Sequence, residues 1–242
     1  MAKRESIIVP EGCTRVLLHA CCAPCSSAIV EWLLAHEIEP IIYYYNPNIY
    51  PLEEYEIRKN ESKRHAEMLG IKWIDADRGY GLQVTGYGGQ VTGYGLQVTG
   101  YGEAHDAWRH DICGMENEPE RGKRCEACFY HRLLATARKA QELGIEWFAT
   151  TLASSRWKNL EQINAAGLRA AAEVTGYGLQ VTGKVSFWAQ NWRKDGLQER
   201  RNQLLKEYGF YNQTYCGCEF SMRAGTECRC EQSAHTGTVS EA

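Results

Sequence analysis

The chain has 242 residues, 44% of them apolar, and carries a formal net charge of −3. That length allows one large domain or two small ones, and no run of about 18 apolar residues offers a membrane span. The start, MAKRESIIVPEG, is too short in apolar residues for a secretory signal, so a reducing, cytoplasmic setting is expected, and any nucleic acid must be bound through a local basic patch.

VLLHA, ending at Ala20, reads as a buried strand, and SSAIVEWLLAHEI as the helix after it, with Ser26 and Ser27 near its N-terminus. PIIYYYN is a second strand, stopped by Asn46-Pro47-Asn48. LEEYEIRKNESKRHAEMLG is a charged helix closed by Gly70 as a C′ glycine. IKWIDAD is a third strand; CEACFYHRLLATARKAQELG is a helix closed by Gly144; EWFATTL is a fourth strand. NLEQINAAGLRAAAEV and LQERRNQLLKEYG complete the helices. Strands alternating with long helices predict an α/β domain, a parallel sheet with helices on both faces, and its site belongs beyond the carboxyl ends of the strands.

Two stretches break this order. Residues 79–102 repeat GYGLQVT, and the same phrase returns at 175–183. The unit is too short and too glycine-rich for a solenoid and lacks the spacing of a coiled coil. The DNA string GGTTACG-GGTTACA-GGTTACG, read in triplets, encodes Gly-Tyr-Gly-Leu-Gln-Val-Thr, so both stretches read as expanded repetitive DNA tolerated in surface loops. Gly89, standing where leucine is expected, departs from that origin by two base changes. Without the inserts one domain remains over 16–223, with an N-terminal extension at 1–15 and a tail at 224–242 expected to be disordered.

Chemistry concentrates in the cysteines. Seven of the eleven lie in three groups: Cys21, Cys22 and Cys25; Cys125 and Cys128; Cys216 and Cys218. In a reducing compartment such clustering favours metal binding or catalysis over structural disulfides. Cys21, Cys22, Cys125 and Cys128 suit an iron–sulfur cluster or structural zinc, and spacing does not separate the two. The surplus of thiols tilts the reading toward redox work. The pair at Cys216 and Cys218 suits a labile disulfide; its plain alternative is a turn with two inert thiols.

HACCAPC, YYNPNIYP, ENEPERGKRCEACFYHRL, SSRWKN, QIN, NWRKDG and YGFYNQTYCGCEFSMR together resemble the QueH-type epoxyqueuosine reductases, from about Val16 to Arg223 apart from the inserts. The resemblance implies a Rossmann-like, nucleotide-hydrolase-like α/β fold. It implies a [4Fe-4S] cluster on Cys21, Cys22, Cys125 and Cys128, a redox-active disulfide between Cys216 and Cys218, and an additional iron beside the cluster with thiolate and carboxylate ligands. It also implies reduction of epoxyqueuosine at the wobble position of tRNA, fed by an unidentified electron donor. The chain departs from the family where many members carry Tyr-Asp before the tryptophan matching Trp108; here Glu103 and Ala104 stand. If that aspartate is a ligand in relatives, Asp106 or Asp77 must replace it, or the second metal site is impaired.

Glu116, Glu118, Glu120 and His19 are candidate proton donors, although ENEPERGK reads more strongly as a loop with solvated carboxylates that positions the second CxxC. Candidate RNA contacts are Arg121, Lys123, Arg124, Arg156, Lys158, Arg193, Lys194, Arg200 and Arg201, with Trp157 and Trp192 as stacking platforms. Three rivals stand beside this reading. An ATP-using enzyme needs a glycine-rich loop after the first strand, where HACCAPCSS has no glycine. A thioredoxin-like protein explains CAPC and leaves the other pairs idle. A zinc-stabilised tRNA-binding module differs from the lead reading in its metal.

Overall fold

The structure, a computed structural model, describes residues 6–76, 101–176 and 184–222. Most of both repeats, Asp77, and the tail with Cys228 and Cys230 lie outside the described residues. Five strands form one all-parallel sheet: β1 (Arg15–His19), β2 (Glu39–Tyr44), β3 (Trp73–Asp75), β4 (Trp147–Thr150) and β5 (Ser186–Phe187), in the order β3-β2-β1-β4-β5. The helices are α1 (Ala23–Ala35), α2 (Leu52–Met68), α3 (Tyr101–Asp111), α4 (Lys123–Glu142), α5 (Leu160–Gly176) and α6 (Leu197–Glu207).

The α/β fold expected from the sequence is present, with two additions. β5 is only two residues long, below any periodicity signal, and α3 abuts the first repeat. α1 pairs with α2 and α6, and α4 with α5, so helices cover the sheet in two sets. Sheets covered on both faces bury consecutive strand residues: Val16, Leu17 and Leu18 on β1, and Phe148 and Ala149 on β4, are all inaccessible. Each such large side chain stabilises the fold by roughly 1.5–3 kcal/mol. Close packing has a local price at Gly167 of α5, where a Cβ would come within 2.4 Å of the Phe187 ring.

α1 begins three residues earlier than the serines suggested. Cys22 occupies the N-cap and Pro24 sits in the first turn, where its missing N–H costs nothing. Ser26 and Ser27 then lie inside the helix, and their hydroxyls donate back to the carbonyls of Cys22, Ala23 and Pro24. Gly70 and Gly144 take the left-handed conformation expected of glycines closing α2 and α4. The repeat boundaries shift as well: Tyr101 and Gly102 belong to α3, and Thr175 and Gly176 to α5.

Candidate redox and metal centre

At the carboxyl edge of the sheet, β1 and β4 end side by side at His19 and Thr150. The chain leaving β1 delivers Cys21 and Cys22 to this edge, and the first turn of α1 adds Cys25. All three are buried, with Sγ atoms within 4.8 Å of one another and 3.8 Å between Cys21 and Cys22. Thr151 after β4 donates its hydroxyl to Cys21 Sγ at 3.4 Å, and Gln213 Nε2 approaches the Sγ atoms of Cys22 at 3.2 Å and Cys25 at 3.7 Å. Three thiols this close share protons. Bonds from Cys22 and Cys25 pull Cys21 well below the ordinary thiol value, while burial pushes Cys22 well above it and the Cys21 bond takes Cys25 up to about 11. The set therefore carries one thiolate readily and further thiolates only with a cation to compensate.

The second CxxC opens α4. Cys125 is half-buried and receives the Arg121 backbone N–H at 3.3 Å; Cys128 is buried with Trp108, Ile112 and Cys218. Burial raises Cys125 to about 11 and Cys218 to about 12. Cys216 lies within electrostatic reach of Cys125, Cys128 and Cys218. Lys158, from the loop after β4, joins the two halves: burial pulls its ammonium down, but the charges of Cys216, Cys21 and Cys25 outweigh this and raise it. Arg132, one turn beyond Cys128 on α4, is buried beside Asn46 and faces Cys128. Cys216 and Cys218 are both free thiols here, like every other cysteine among the described residues.

Several predicted residues have other duties. His19 is fully buried, and burial with the nearby Arg132 charge lowers it to about 3. Its Nε2 can only donate to the Tyr45 carbonyl at 3.0 Å, so Nδ1 accepts from Thr150 Oγ1 at 2.8 Å; this neutral ring ties β1 to its neighbours, with its one N–H committed to that carbonyl. Glu118 caps α4 by accepting the Lys123 N–H, and buried Arg124 donates to the carbonyls of Glu116 and Glu118. ENEPERGK is thus tied to the start of α4 through Glu118 and Arg124, and Arg124 is buried rather than presented to RNA. Trp192, 1% exposed, packs against Trp32 and Trp188 in the core and is no stacking platform. Ala104 is buried on α3 and Asp106 is exposed, so Asp106 does not join the buried thiols.

The tight thiol group contains Cys25 and no residue of the second CxxC, whereas the sequence reading sets Cys21 and Cys22 together with Cys125 and Cys128. Gln213, Thr151 and Arg132 were missed as neighbours of the thiols. Gln213 stood inside a motif quoted for the resemblance; Arg132 carried no signal, because an arginine in a charged helix reads as solvated surface.

The donor set fits a thiolate-bound iron–sulfur cluster on chemical grounds: it is sulfur-only, buried, and faced by the cations Lys158 and Arg132, whose charge offsets that of thiolates. A parallel α/β domain with such a thiol group at the carboxyl edge of its sheet has the donors to bind a metal where α/β enzymes place their sites. The chain matches the family described as epoxyqueuosine reductase QueH over residues 16–92 and 90–224, and it belongs to that family. It is 41% identical over 226 residues to the epoxyqueuosine reductase QueH of Haemophilus influenzae, covering 93% of this chain and 79% of the relative. Identity to the QueH of Acinetobacter baylyi is 38% over 229 residues, covering 95% and 90%, and to that of Thermotoga maritima 32% over 222 residues, covering 92% and 97%.

Proposed function

We propose that this chain reduces epoxyqueuosine to queuosine at the wobble position of tRNA. The observation that carries the proposal is the buried thiol centre with its facing cations, in a chain of the QueH family. Epoxide reduction to an alkene breaks two C–O bonds and releases the oxygen as water, consuming two electrons and two protons. A [4Fe-4S] cluster would be held by Cys21, Cys22, Cys125 and Cys128, and an additional iron would draw on Cys25, whose Sγ lies in the tight group. When bound, these groups supply electrons one at a time and a Lewis acid for oxygen.

The chain's own residues do the rest. Lys158 and Arg132 offset the negative charge of the thiolates. Cys216 and Cys218 cycle between dithiol and disulfide, passing two electrons and two protons inward from an external donor. Trp157 is 68% exposed beside the centre, with the Arg156 guanidinium 5.0 Å from its ring, and provides a platform on which a splayed anticodon base stacks. Arg121 holds that platform through bonds to the carbonyls of Trp157 and Arg156.

Anaerobic purification followed by iron and sulfide quantitation, with nucleoside analysis of the tRNA product, tests the proposal. A brown protein is expected, and Cys21→Ser and Cys125→Ser are expected to lose iron and turnover together. A colourless, zinc-loaded protein that leaves epoxyqueuosine intact would replace this reading with a zinc-stabilised tRNA-binding module. Cys216→Ser and Cys218→Ser are expected to keep the cluster and lose turnover; loss of the cluster would make the pair ligands instead.

A further inference from the structure

We propose that Arg58 on α2 is the positioning residue of the Cys216–Gly217–Cys218 turn, holding its backbone bent so that the two thiols close rapidly on each other. The proposal rests on the redox reading of that pair. Arg58 sits in EIRKNESKR, where every sequence signal points to solvent, yet it is 2% exposed. Burying a guanidinium is costly unless its donors are met. Nε donates to Glu54 Oε1 at 2.7 Å, Nη1 to the Cys216 carbonyl at 3.1 Å and Nη2 to the Tyr215 carbonyl at 3.3 Å. Glu54 is itself held by the Tyr211 hydroxyl at 2.8 Å, and the guanidinium lies 5.3 Å from the centre of the Tyr215 ring.

The next carbonyl, of Gly217, accepts the Tyr50 N–H at 2.8 Å. Three consecutive carbonyls are therefore pinned, and the peptide planes of the turn are fixed without using either thiol. Gly217 has φ of +101°, and a Cβ there would lie 2.9 Å from Arg58 Nη1 and 3.0 Å from Ile49 Cγ1. The turn and the guanidinium fit against each other with no space between them. The bend matters because residues two apart on an extended chain are about 6.5–7 Å apart, at or beyond the upper limit of about 6.8 Å for a disulfide's Cα atoms. A turn already bent in the dithiol state avoids paying for that bend at the moment of closure.

Closure by thiol–disulfide exchange proceeds in two steps. One thiolate of the pair attacks an external disulfide, forming a mixed disulfide and releasing one external thiol. The other thiolate then attacks the mixed disulfide, forming Cys216–Cys218 and releasing the second external thiol. Arg58 affects the second step, because only that step needs the two sulfurs of the pair to meet.

The test uses the full chain, purified anaerobically, with oxidised glutathione as the probe and mass spectrometry of the peptide containing both cysteines. Wild-type protein is expected to show the closed pair with little mixed disulfide. Arg58→Lys keeps the charge and loses the fork; closure is expected to slow at least tenfold, so that the mixed disulfide accumulates while iron content stays at the wild-type level. Closure at the wild-type rate would overturn the proposal. If Arg58→Lys does not fold, Glu54→Gln leaves the guanidinium in place with a weaker anchor and is expected to slow closure about threefold; an unchanged rate there overturns the proposal equally. A wild-type pair that never closes would remove the redox reading itself, and the positioning role with it.

Discussion

Two tryptophans in similar sequence settings, SSRWKN and NWRKDG, separate at the scale of single residues. Trp157 is exposed on a loop beside the thiols, and Trp192 is buried against Trp32 and Trp188. Truncating a stacking aromatic costs about 1–3 kcal/mol of binding per base, whereas truncating a core tryptophan costs about 3–5 kcal/mol of stability. Trp157→Ala is therefore expected to weaken tRNA binding by roughly 5–150-fold with no change in the denaturation midpoint, and Trp192→Ala to do the reverse. Equal tRNA affinity for Trp157→Ala and wild type would take the base off that platform. The thiols separate in the same manner. Cys25→Ser is expected to retain most cluster iron and to lose only the iron beyond the four of the cluster, a difference that iron-to-sulfide ratios measure.

At the scale of elements, α3 is tied to α4 by Asp111 Oδ2 and His131 Nδ1 at 2.7 Å, and His131 Nε2 meets the Tyr45 hydroxyl at 2.9 Å. The bond to His131 holds the Asp111 carboxyl below its ordinary value. A depressed carboxyl contributes stability above its unfolded value and loses it as pH falls through the folded one. With the Asp111 side chain 51% exposed, screening limits the contribution to about 0.5 kcal/mol. Asp111→Asn is expected to lose that amount at pH 7, and the gap to wild type should close as pH falls below about 4; a gap independent of pH would show that the carboxylate's charge is not involved. The first repeat gives a second test. Deleting residues 79–100 is expected to leave folding intact, but extending the cut through Tyr101 and Gly102 removes the start of α3, where the Tyr101 hydroxyl donates to the Ile49 carbonyl at 2.6 Å and the ring packs on Tyr55. That longer deletion should cost about 2 kcal/mol in denaturant unfolding. The long helices and the strands β1, β2 and β4 were legible because apolar runs and closing glycines are local signals. The repeat edge, two-residue β5 and the burial of Arg58 and Arg132 were not, because each is decided by what the rest of the fold brings alongside.

For the whole molecule, the proposed tRNA substrate raises the question of how a chain of net charge −3 would grip a polyanion. Many of its cations are already neutralised: Arg200 pairs with Glu31 and Glu207, and Arg15 with Glu39. The rim around the thiol centre differs. Arg121 spends its donors on the carbonyls of Trp157 and Arg156, Arg193 donates to the Lys158 carbonyl, and neither forms an ion pair among the described residues. Burial and the neighbouring Arg121 charge both lower Arg193, so two guanidiniums are held close enough to repel. Like charges kept together on a surface are relieved by an anion between or beside them, and a phosphate of the anticodon loop has the required chemistry. Each phosphate contact on a single strand adds about 0.7 to the slope of log affinity against log salt. Arg121→Ala and Arg193→Ala are each expected to flatten that slope by about that amount while weakening all tRNAs alike. Arg200→Ala is expected to leave the slope unchanged, since its charge is answered within the protein and it lies on α6. Titrating tRNA binding between low and physiological salt for the three variants decides the matter: a slope that falls as much for Arg200→Ala as for Arg121→Ala would place the RNA elsewhere than on the rim of the thiol centre.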